Sequence, residues 1–138
     1  MTTLSIVVPM YNEEAALDGF FGRLQRVLQT VTPAYEIICV NDGSRDHTLA
    51  RLRDIADAEP RVKVVNLSRN FGKEIALSAG LDHATGDAVI PIDADLQDPP
   101  EVIPMMIAKW RAGAKVVLAK RRDRSSDSWL KRLTANGA

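Results

Sequence analysis

The segment VIPIDADLQDPP, residues 89–100, carries an apolar run directly into three acids and a pair of prolines. The apolar run is typical of a buried β-strand, and the prolines suit the entrance of a helix. Asp93, Asp95 and Asp98 thus lie between a predicted strand and a predicted helix. Carboxylates gathered this closely are costly unless a cation or a proton lies between them. The segment therefore predicts a strand–turn–helix unit and raises the question of what its acids bind.

The alternation of strand and helix patterns continues along the chain to about Lys120. Near-continuous apolar runs, as expected of strands covered on both faces, predict strands at 4–8, 36–40, 62–67, 88–92 and 115–118. Helical spacing of apolar residues predicts helices at 17–31, 49–56, 72–84 and after Pro100, with Asn12 capping the first. This alternation predicts an α/β fold with an open, mainly parallel sheet and helices on both faces.

The composition is that of an ordinary globular chain. Its 138 residues fit one domain, and 46% hydrophobic residues are enough for a substantial core. The 18 basic and 18 acidic side chains cancel, which predicts no global attraction for nucleic acid. The N-terminus does not resemble a signal peptide, and no apolar run reaches the roughly 20 residues of a membrane span. The single cysteine, Cys39, is expected to be a buried, reduced thiol.

Polar segments follow each of the first four predicted strands. They read PMYNEE, NDGSRD, SRNFGKE and DADLQD in chain order. In open parallel sheets, ligands bind beyond the carboxyl ends of the strands, where the strand order reverses. If the order is 3-2-1-4, an assumption at this point, residues 11–13 lie next to residues 93–95 and the polar segments share one rim.

The acidic segment is a candidate cation site. Asp93 and Asp95 are two residues apart at a strand end, so both carboxylates could reach one point, and Gln97 offers a third oxygen. Hard oxygen ligands suit Mg²⁺ or Mn²⁺, which keep open positions for substrate phosphates. The alternative is a solvated turn and helix cap, a role most typical of Asp98 before Pro99.

The segments after the first two strands are candidates for holding a nucleoside. Pro9 is expected to end the first strand, Tyr11 can lie against a planar base, and Asn12 or Glu13 can hydrogen-bond that base. Asp42, at the end of the second strand, can accept hydrogen bonds from ribose hydroxyls or a base N–H. Ordinary roles remain open for these residues, as a capped helix start and a turn-forming aspartate.

Common phosphate-binding and zinc motifs are absent from the sequence. SRNFGKE lacks the GxxxxGK[ST] spacing and the chain has no GxGxxG, which disfavours P-loop hydrolysis and Rossmann NAD binding. Lys73 can still meet a phosphate, while Arg69 is as readily solvated. His47 and His83 have no Cys or His at ligand spacing, so a zinc site is not expected.

The last residues form a basic tail. Arg121, Arg122 and Arg132 belong to the segment KRRDRSSDSWLKRL, in which basic residues outnumber acidic ones. Arginine forks suit a diphosphate or an anionic lipid headgroup, and Trp129 with Leu130 could touch a membrane interface. A flexible basic chain end is the alternative.

The chain closely resembles family 2 glycosyltransferases of the GT-A fold in five segments and in their order, namely PMYNEE, VNDGSRD, NFGK, IDADLQDPPE and AKRRDRS. Within that family it resembles the bacterial polyprenyl-phosphate (bactoprenol) glucosyltransferases, which are relatives of dolichyl-phosphate mannose synthase. The resemblance implies inverting transfer of a hexose, glucose from UDP-glucose, to a polyprenyl phosphate such as undecaprenyl phosphate, with Mg²⁺ or Mn²⁺ as cofactor.

The resemblance also assigns roles to individual residues. Nucleoside-contacting positions of the family match Pro9, Tyr11, Glu13 and Asp42. Metal and diphosphate positions match Asp93, Asp95 and Gln97, and phosphate-binding arginines match Arg121 and Arg132. Arg122 is a further candidate to hold the acceptor phosphate. The same resemblance implies that residues 1–120 are the nucleotide-sugar-binding part and that residues 121–138 lead toward the acceptor and membrane region.

Family members continue well past the point where this chain ends, with the rest of the acceptor side and usually hydrophobic membrane helices. The chain is therefore expected to be a soluble fragment whose full-length parent works at the cytoplasmic face of the inner membrane. Two alternatives stay open: a non-catalytic nucleotide-binding module, and a phosphotransferase with an aspartyl nucleophile.

Overall fold

A computed structural model of the chain describes residues 3–94 and 99–111. The strands of this part are β1 Leu4–Met10, β2 Tyr35–Asn41, β3 Val62–Asn66 and β4 Ala88–Pro91. The helices are α1 Leu17–Val31, α2 Thr48–Ala58, α3 Lys73–His83 and α4 Ile103–Arg111. Short 3₁₀ turns at Glu14–Ala16 and Pro100–Val102 precede α1 and α4. The predicted strand at 115–118 lies outside the described residues.

The four described strands form a parallel sheet in the order β3-β2-β1-β4. Ile6 of β1 is in register with Ile37 of β2 on one side and with Ile90 of β4 on the other. The chain therefore builds outward from β1 to β3 and then crosses back to place β4 on the opposite side of β1. The assumed strand order is confirmed, and with it the point of reversal between β1 and β4.

Helices cover both faces of the sheet, as the sequence predicts. On one face, Ile6 and Val8 of β1 are fully buried in a core that includes residues of α1, α2 and α4. On the other face, Val7 packs in a smaller cluster with Ala76 and Leu77 of α3. Alternate side chains of a strand point to opposite faces, so β1 contributes to both clusters.

The single cysteine lies in the core of the fold. Cys39 of β2 is fully buried in the larger core, and burial raises the pKa of its thiol far above the usual range. A thiol that stays protonated and inaccessible is a poor nucleophile. The expected burial of Cys39 is therefore confirmed.

Of the sequence expectations about the strands, one holds only in part and one is wrong. The strand β3 is covered only in part, since Val64 packs against the larger core and Val65 against the smaller cluster while Lys63 and Asn66 are exposed. Pro9 does not end β1, which continues to Met10. The carbonyl of Val7 points toward β4, where it accepts from the Ile92 N–H. The backbone of Pro9, two residues further along β1, points to the same side, but the pairing with β4 ends at Val7 and Pro91. The absent N–H of Pro9 therefore costs no bond between β1 and β4.

A buried polar network ties the strands together at their amino ends. The Glu36 carboxylate accepts hydrogen bonds from Ser5 Oγ at 2.6 Å, from the Thr85 N–H at 2.7 Å and from Lys63 Nζ at 2.7 Å. Burial by itself would raise the pKa of Glu36, but these bonds outweigh it and lower the pKa to about 2. The ionised carboxylate thus joins β1, β2, β3 and the turn before β4.

Candidate functional site

A pocket of about 140 Å³ lies at the carboxyl ends of β1, β2 and β4. It is lined by residues from four different segments, namely Pro9, Met10, Tyr11, Glu13, Asp42, Lys73, Asp93 and Ala94. This is the side of the sheet on which ligands bind in open parallel folds, at the reversal of strand order. The volume is smaller than the roughly 300–1,000 Å³ of most ligand pockets, so the described residues can enclose only part of a larger ligand.

Another pocket, of about 240 Å³, lies at the opposite ends of the strands and is lined by residues that include Glu36 and Thr85. The carboxylate of Glu36 is already engaged with Ser5, Thr85 and Lys63. Because these polar groups satisfy one another, this pocket offers less to a polar ligand than the pocket at the carboxyl ends.

Tyr11 stands at the rim of the carboxyl-end pocket, directly after β1. Its side chain is one of the large exposed hydrophobic groups of the described residues, with 42% of its surface accessible. An aromatic ring that borders a pocket and remains accessible can stack on a planar ligand group. Tyr11 therefore lies at the edge of the pocket with its ring accessible to a ligand.

The loop after β1 is joined to the loop after β2 through Asn12. Its backbone N–H donates to Ser44 Oγ at 3.0 Å, and its Oδ1 accepts from the Arg45 N–H at 2.8 Å. Asn12 has a φ of 53°, a left-handed conformation that asparagine tolerates better than most residues. The expectation that Asn12 caps α1 is wrong, since α1 begins at Leu17 after a 3₁₀ turn and Asn12 serves the neighbouring loop.

Thr48 and Asp46 also join the loop after β1 to the loop after β2. Neither residue is among the candidates identified from the sequence. The Glu13 N–H donates to Thr48 Oγ1 at 2.9 Å, while the same hydroxyl donates to Asp46 Oδ1 at 2.6 Å. Burial would raise the pKa of Asp46, but the bonds from Thr48 outweigh it and lower that pKa. The sequence does contain a signal for this contact, an aspartate two residues before a threonine at the start of a predicted helix. Aspartates in such positions commonly accept hydrogen bonds from nearby backbone N–H groups.

Asp42 holds the loop that leads into α3. Only 4% of Asp42 is exposed, and its two carboxylate oxygens accept from the Phe71 N–H at 2.8 Å and the Gly72 N–H at 3.2 Å. The Asn70 side chain also donates to the Asp42 carbonyl at 3.1 Å. Each carboxylate oxygen can accept a further bond, so Asp42 can support this loop and still face a ligand in the pocket.

Lys73 and Asp93 form an ion pair across the pocket. The Nζ of Lys73 lies 2.8 Å from Oδ2 of Asp93, whose side chain is only 8% exposed. Lys73 is the first residue of α3, and Asp93 follows β4 by two residues. From the sequence alone, Lys73 is a candidate to meet a phosphate and Asp93 is a candidate to meet a cation. The structure brings the two together and places both on the pocket wall.

The donor atoms in the described part of the acidic segment are of the kind that a hard divalent cation binds. Asp93 presents a carboxylate to the pocket, and oxygen is the donor that Mg²⁺ and Mn²⁺ prefer. Within residues 3–94 and 99–111, no three His, Cys, Asp or Glu side chains lie close enough to hold a metal ion. The other two expected ligands, Asp95 and Gln97, lie outside the described residues.

Several further sequence expectations also fall outside the described residues. They concern Asp98, Arg121, Arg122, Trp129, Leu130 and Arg132. Among the described residues, Arg69 lies over the ring of Phe71, with 4.3 Å from its guanidinium carbon to the ring centroid. None of the described helices has the length and apolar character that a membrane crossing requires.

Comparison with known proteins identifies the class that this fold and site define. A model described as Glycosyl transferase family 2 matches residues 5–136. The chain belongs to glycosyl transferase family 2. The resemblance noted from the motifs is thereby confirmed, and an α/β fold with a parallel sheet agrees with the solved structures that the chain resembles.

Two curated relatives align with nearly the whole of this chain. An uncharacterized glycosyltransferase of Synechocystis sp. is 60% identical over 132 residues, which cover 96% of this chain and 42% of the relative. A prophage bactoprenol glucosyl transferase homolog of Escherichia coli K12 is 54% identical over 132 residues, covering 96% of this chain and 43% of the relative. The chain thus spans about two fifths of the length of these curated relatives.

A solved structure shares the fold. A mannosyltransferase from Pyrobaculum calidifontis, in complex with GDP-Man and Mn²⁺, superposes with a TM-score of 0.71 at 27% sequence identity. The match covers 87% of this chain and 36% of the mannosyltransferase.

Proposed function

We propose that this chain is the nucleotide-sugar-binding part of an inverting, metal-dependent glycosyltransferase that moves glucose from UDP-glucose to a polyprenyl phosphate such as undecaprenyl phosphate. The observation that carries the proposal is that Tyr11 and Asp93, which follow different strands, line one pocket at the reversal of strand order. The name of the bactoprenol glucosyl transferase homolog of Escherichia coli supports the acceptor class, and the mannosyltransferase solved with GDP-Man and Mn²⁺ supports a nucleotide sugar with a divalent ion.

The nucleoside is proposed to lie along the ends of β1 and β2. Tyr11 is accessible enough to stack on the base, and Pro9, Glu13 and Asp42 line the same pocket. Asn12 acts on this part of the site from outside the pocket lining, through its bonds to Ser44 and Arg45. Its proposed role is therefore to set the position of Tyr11 and Glu13.

The charges of the lining explain why a cation is needed. Glu13, Asp42 and Asp93 contribute three acidic side chains to the pocket, while Lys73 contributes one basic side chain. An acidic lining repels a diphosphate unless further positive charge is supplied. We propose that Asp93, Asp95 and Gln97 hold Mg²⁺ or Mn²⁺, which when bound neutralises charge on the departing diphosphate.

The proposed acceptor needs no dedicated base from the protein. A phosphate monoester has a second pKa of about 6, so it is largely dianionic near neutral pH. One of its oxygens attacks the anomeric carbon from the face opposite the diphosphate, and the bond from that carbon to the diphosphate oxygen breaks. The bonding electron pair leaves with the nucleoside diphosphate, and the configuration at the anomeric carbon is inverted. Residues Arg121, Arg122 and Arg132 are proposed to hold the acceptor or the diphosphate.

The location of the reaction follows from the proposed acceptor. A polyprenyl phosphate is held in a membrane by its hydrocarbon chain, so its phosphate must be reached at the membrane surface. We propose that residues 1–120 bind the nucleotide sugar and that residues 121–138 lead toward that surface, at the cytoplasmic face of the inner membrane.

A non-catalytic nucleotide-binding module is the second candidate. The chain spans about two fifths of the length of these curated relatives, and the pocket at the carboxyl ends of its strands offers groups for a nucleoside diphosphate. Such a module would bind nucleoside diphosphate with metal and would neither transfer nor hydrolyse the sugar. Membership of the glycosyl transferase family disfavours the aspartyl phosphotransferase alternative.

Calorimetric titration of the chain with UDP, GDP and their glucose and mannose conjugates, with and without Mn²⁺, tests the proposal. We expect UDP and UDP-glucose to bind in the presence of Mn²⁺ and more weakly in its absence. Preference for GDP-mannose would refute the donor assignment but leave the site intact. Binding of none of these compounds under either condition would refute the site itself.

A further inference from the structure

The ion pair between Lys73 and Asp93 uses a carboxylate that the proposed function also assigns to a cation. The Lys73 ammonium lies 2.8 Å from Oδ2 of Asp93, with 35% of the lysine side chain and 8% of the aspartate side chain exposed. At this distance the contact is a charge-assisted hydrogen bond, and its shielded position limits screening by solvent. Lys73 therefore already satisfies part of the charge of Asp93.

The backbone of Lys73 is fixed while its side chain is long. Gly72 and Phe71, which immediately precede it, donate their N–H groups to the carboxylate of Asp42. This holds the start of α3 against the end of β2. The lysine side chain has four rotatable methylene groups, so its ammonium can move by several ångströms without any movement of the helix.

We propose that Lys73 and the divalent cation compete for the carboxylate of Asp93, and that a nucleoside diphosphate relieves this competition by drawing the ammonium onto its phosphate oxygens. The inference rests on the proposed function. An ammonium and a divalent cation that approach the same carboxylate repel each other. A diphosphate contributes enough negative charge for both, which lets the cation take Asp93 while Lys73 holds the phosphates.

This arrangement couples the two ligands. Without diphosphate, the cation is repelled by the like charge of Lys73 and binds weakly. Without the cation, the diphosphate is repelled by the acidic side chains of the lining. Together each removes the obstacle to the other. Coupling of this kind is reciprocal, so the cation must raise diphosphate affinity by the same factor by which the diphosphate raises cation affinity.

The test measures Mn²⁺ binding directly, by the electron paramagnetic resonance signal of free Mn²⁺, with no sugar and no acceptor present. Lys73→Met removes the charge, Lys73→Gln removes it but keeps a hydrogen-bonding head, and Lys73→Arg keeps it. The matched control is Lys109→Met, which removes an exposed lysine charge from α4. Circular dichroism checks that each variant is folded.

We expect Lys73→Met and Lys73→Gln to bind Mn²⁺ alone about tenfold more tightly than the unchanged chain. The same variants should lose about tenfold in affinity for UDP or GDP, whichever the calorimetry selects, while uridine or guanosine binding stays unchanged. Lys73→Arg and Lys109→Met should behave like the unchanged chain. If Lys73→Met does not fold, Lys73→Gln carries the same test.

Mn²⁺ affinity that is unchanged or lower in both neutral variants would overturn the competition, because the ion pair would then be purely structural. The proposed function would survive that result if UDP or GDP still required Mn²⁺ for tight binding. Absence of Mn²⁺ binding in every variant, with and without nucleotide, would overturn the proposed function and the inference with it.

Discussion

Gly43 lies so close to Asn70 that a β-carbon built on the glycine would be 2.2 Å from the Asn70 backbone nitrogen. This contact joins the loop after β2 to the loop after β3. Gly43 also has a φ of 70°, in the region that side chains disfavour. Two independent constraints therefore require glycine at the position that follows Asp42, the residue that holds the start of α3.

Gly43→Ala is expected to lower the free energy of unfolding by at least about 2 kcal/mol, because a strained backbone and a backbone clash add together. Urea denaturation measures the change. The matched control is Gly19→Ala, at a position in α1 where a β-carbon meets nothing within 4 Å. The control should stabilise the chain by roughly 0.5–1 kcal/mol through helix propensity. Equal effects of the two substitutions would contradict the assigned role of Gly43.

Thr48→Val tests the junction between the loops after β1 and β2. The substitution keeps the side-chain shape but leaves the Glu13 N–H and the Asp46 carboxylate without the hydroxyl. We expect a loss of about 1–3 kcal/mol in unfolding free energy and weaker uridine binding, since Glu13 lines the pocket.

Thr30→Val is the control for Thr48→Val, because the Thr30 hydroxyl donates to a carbonyl of its own helix at an exposed position. Its effect should stay within about 0.5 kcal/mol. Similar losses in both variants would show that Thr48 has no special part in joining the loops.

Glu36 predicts a specific dependence of stability on pH. Its pKa is lowered from 4.5 to about 2 in the folded chain, so the folded state favours the ionised form more than the unfolded state does. The resulting stabilisation, on the order of 3 kcal/mol, is fully present above pH 4.5 and is lost as the pH falls toward 2. Urea denaturation at a series of pH values from about 6 down to about 2 should show this loss.

Glu36→Gln should flatten that part of the pH profile, because the substituted side chain does not titrate. It should also lower stability at neutral pH, since the ion pair with Lys63 is lost. Glu74→Gln, at an exposed position of α3, is the control and should leave the profile unchanged. A Glu36→Gln profile that parallels the unchanged chain would rule out Glu36 as the source.

Asp93→Asn separates the diphosphate part of the site from the nucleoside part. We expect the variant to lose the increase in UDP affinity that Mn²⁺ provides, while uridine binds as before. The physical reason is that an amide oxygen is a weaker ligand for a hard cation than a carboxylate. The control is Asp57→Asn, at an exposed position of α2. Retention of the full Mn²⁺ effect in Asp93→Asn would remove Asp93 from the proposed metal site.

Tyr11→Ala tests the stacking role of the exposed ring. Base–aromatic stacking contributes roughly 1–3 kcal/mol, so uridine affinity should fall by about 5-fold to more than 100-fold. Tyr11→Phe retains the ring and should bind nearly as well. If both variants bind like the unchanged chain, the base does not lie against Tyr11.

Much of the fold could be predicted from the sequence because its signals are local. Apolar runs located the four described strands within one or two residues, and the spacing of Leu17 to Val31 located α1. The failures arise from contacts that are not local in the sequence. Pro9 was expected to end β1, but the cost of its absent N–H depends on whether β4 extends that far, which no local pattern encodes.

The sequence by itself determined that the chain alternates strands with helices and that its acids and its tyrosine follow strand ends, since both properties depend on the order of residues along the chain. The tertiary structure decided which of these residues meet. Lys73 and Asp93 are 20 residues apart, Asp42 and Gly72 are 30 apart, and Glu13 and Thr48 are 35 apart. Their contacts arise because parallel pairing in the order β3-β2-β1-β4 brings the carboxyl ends of separate strands to one edge, and spacing in the sequence carries no record of that order.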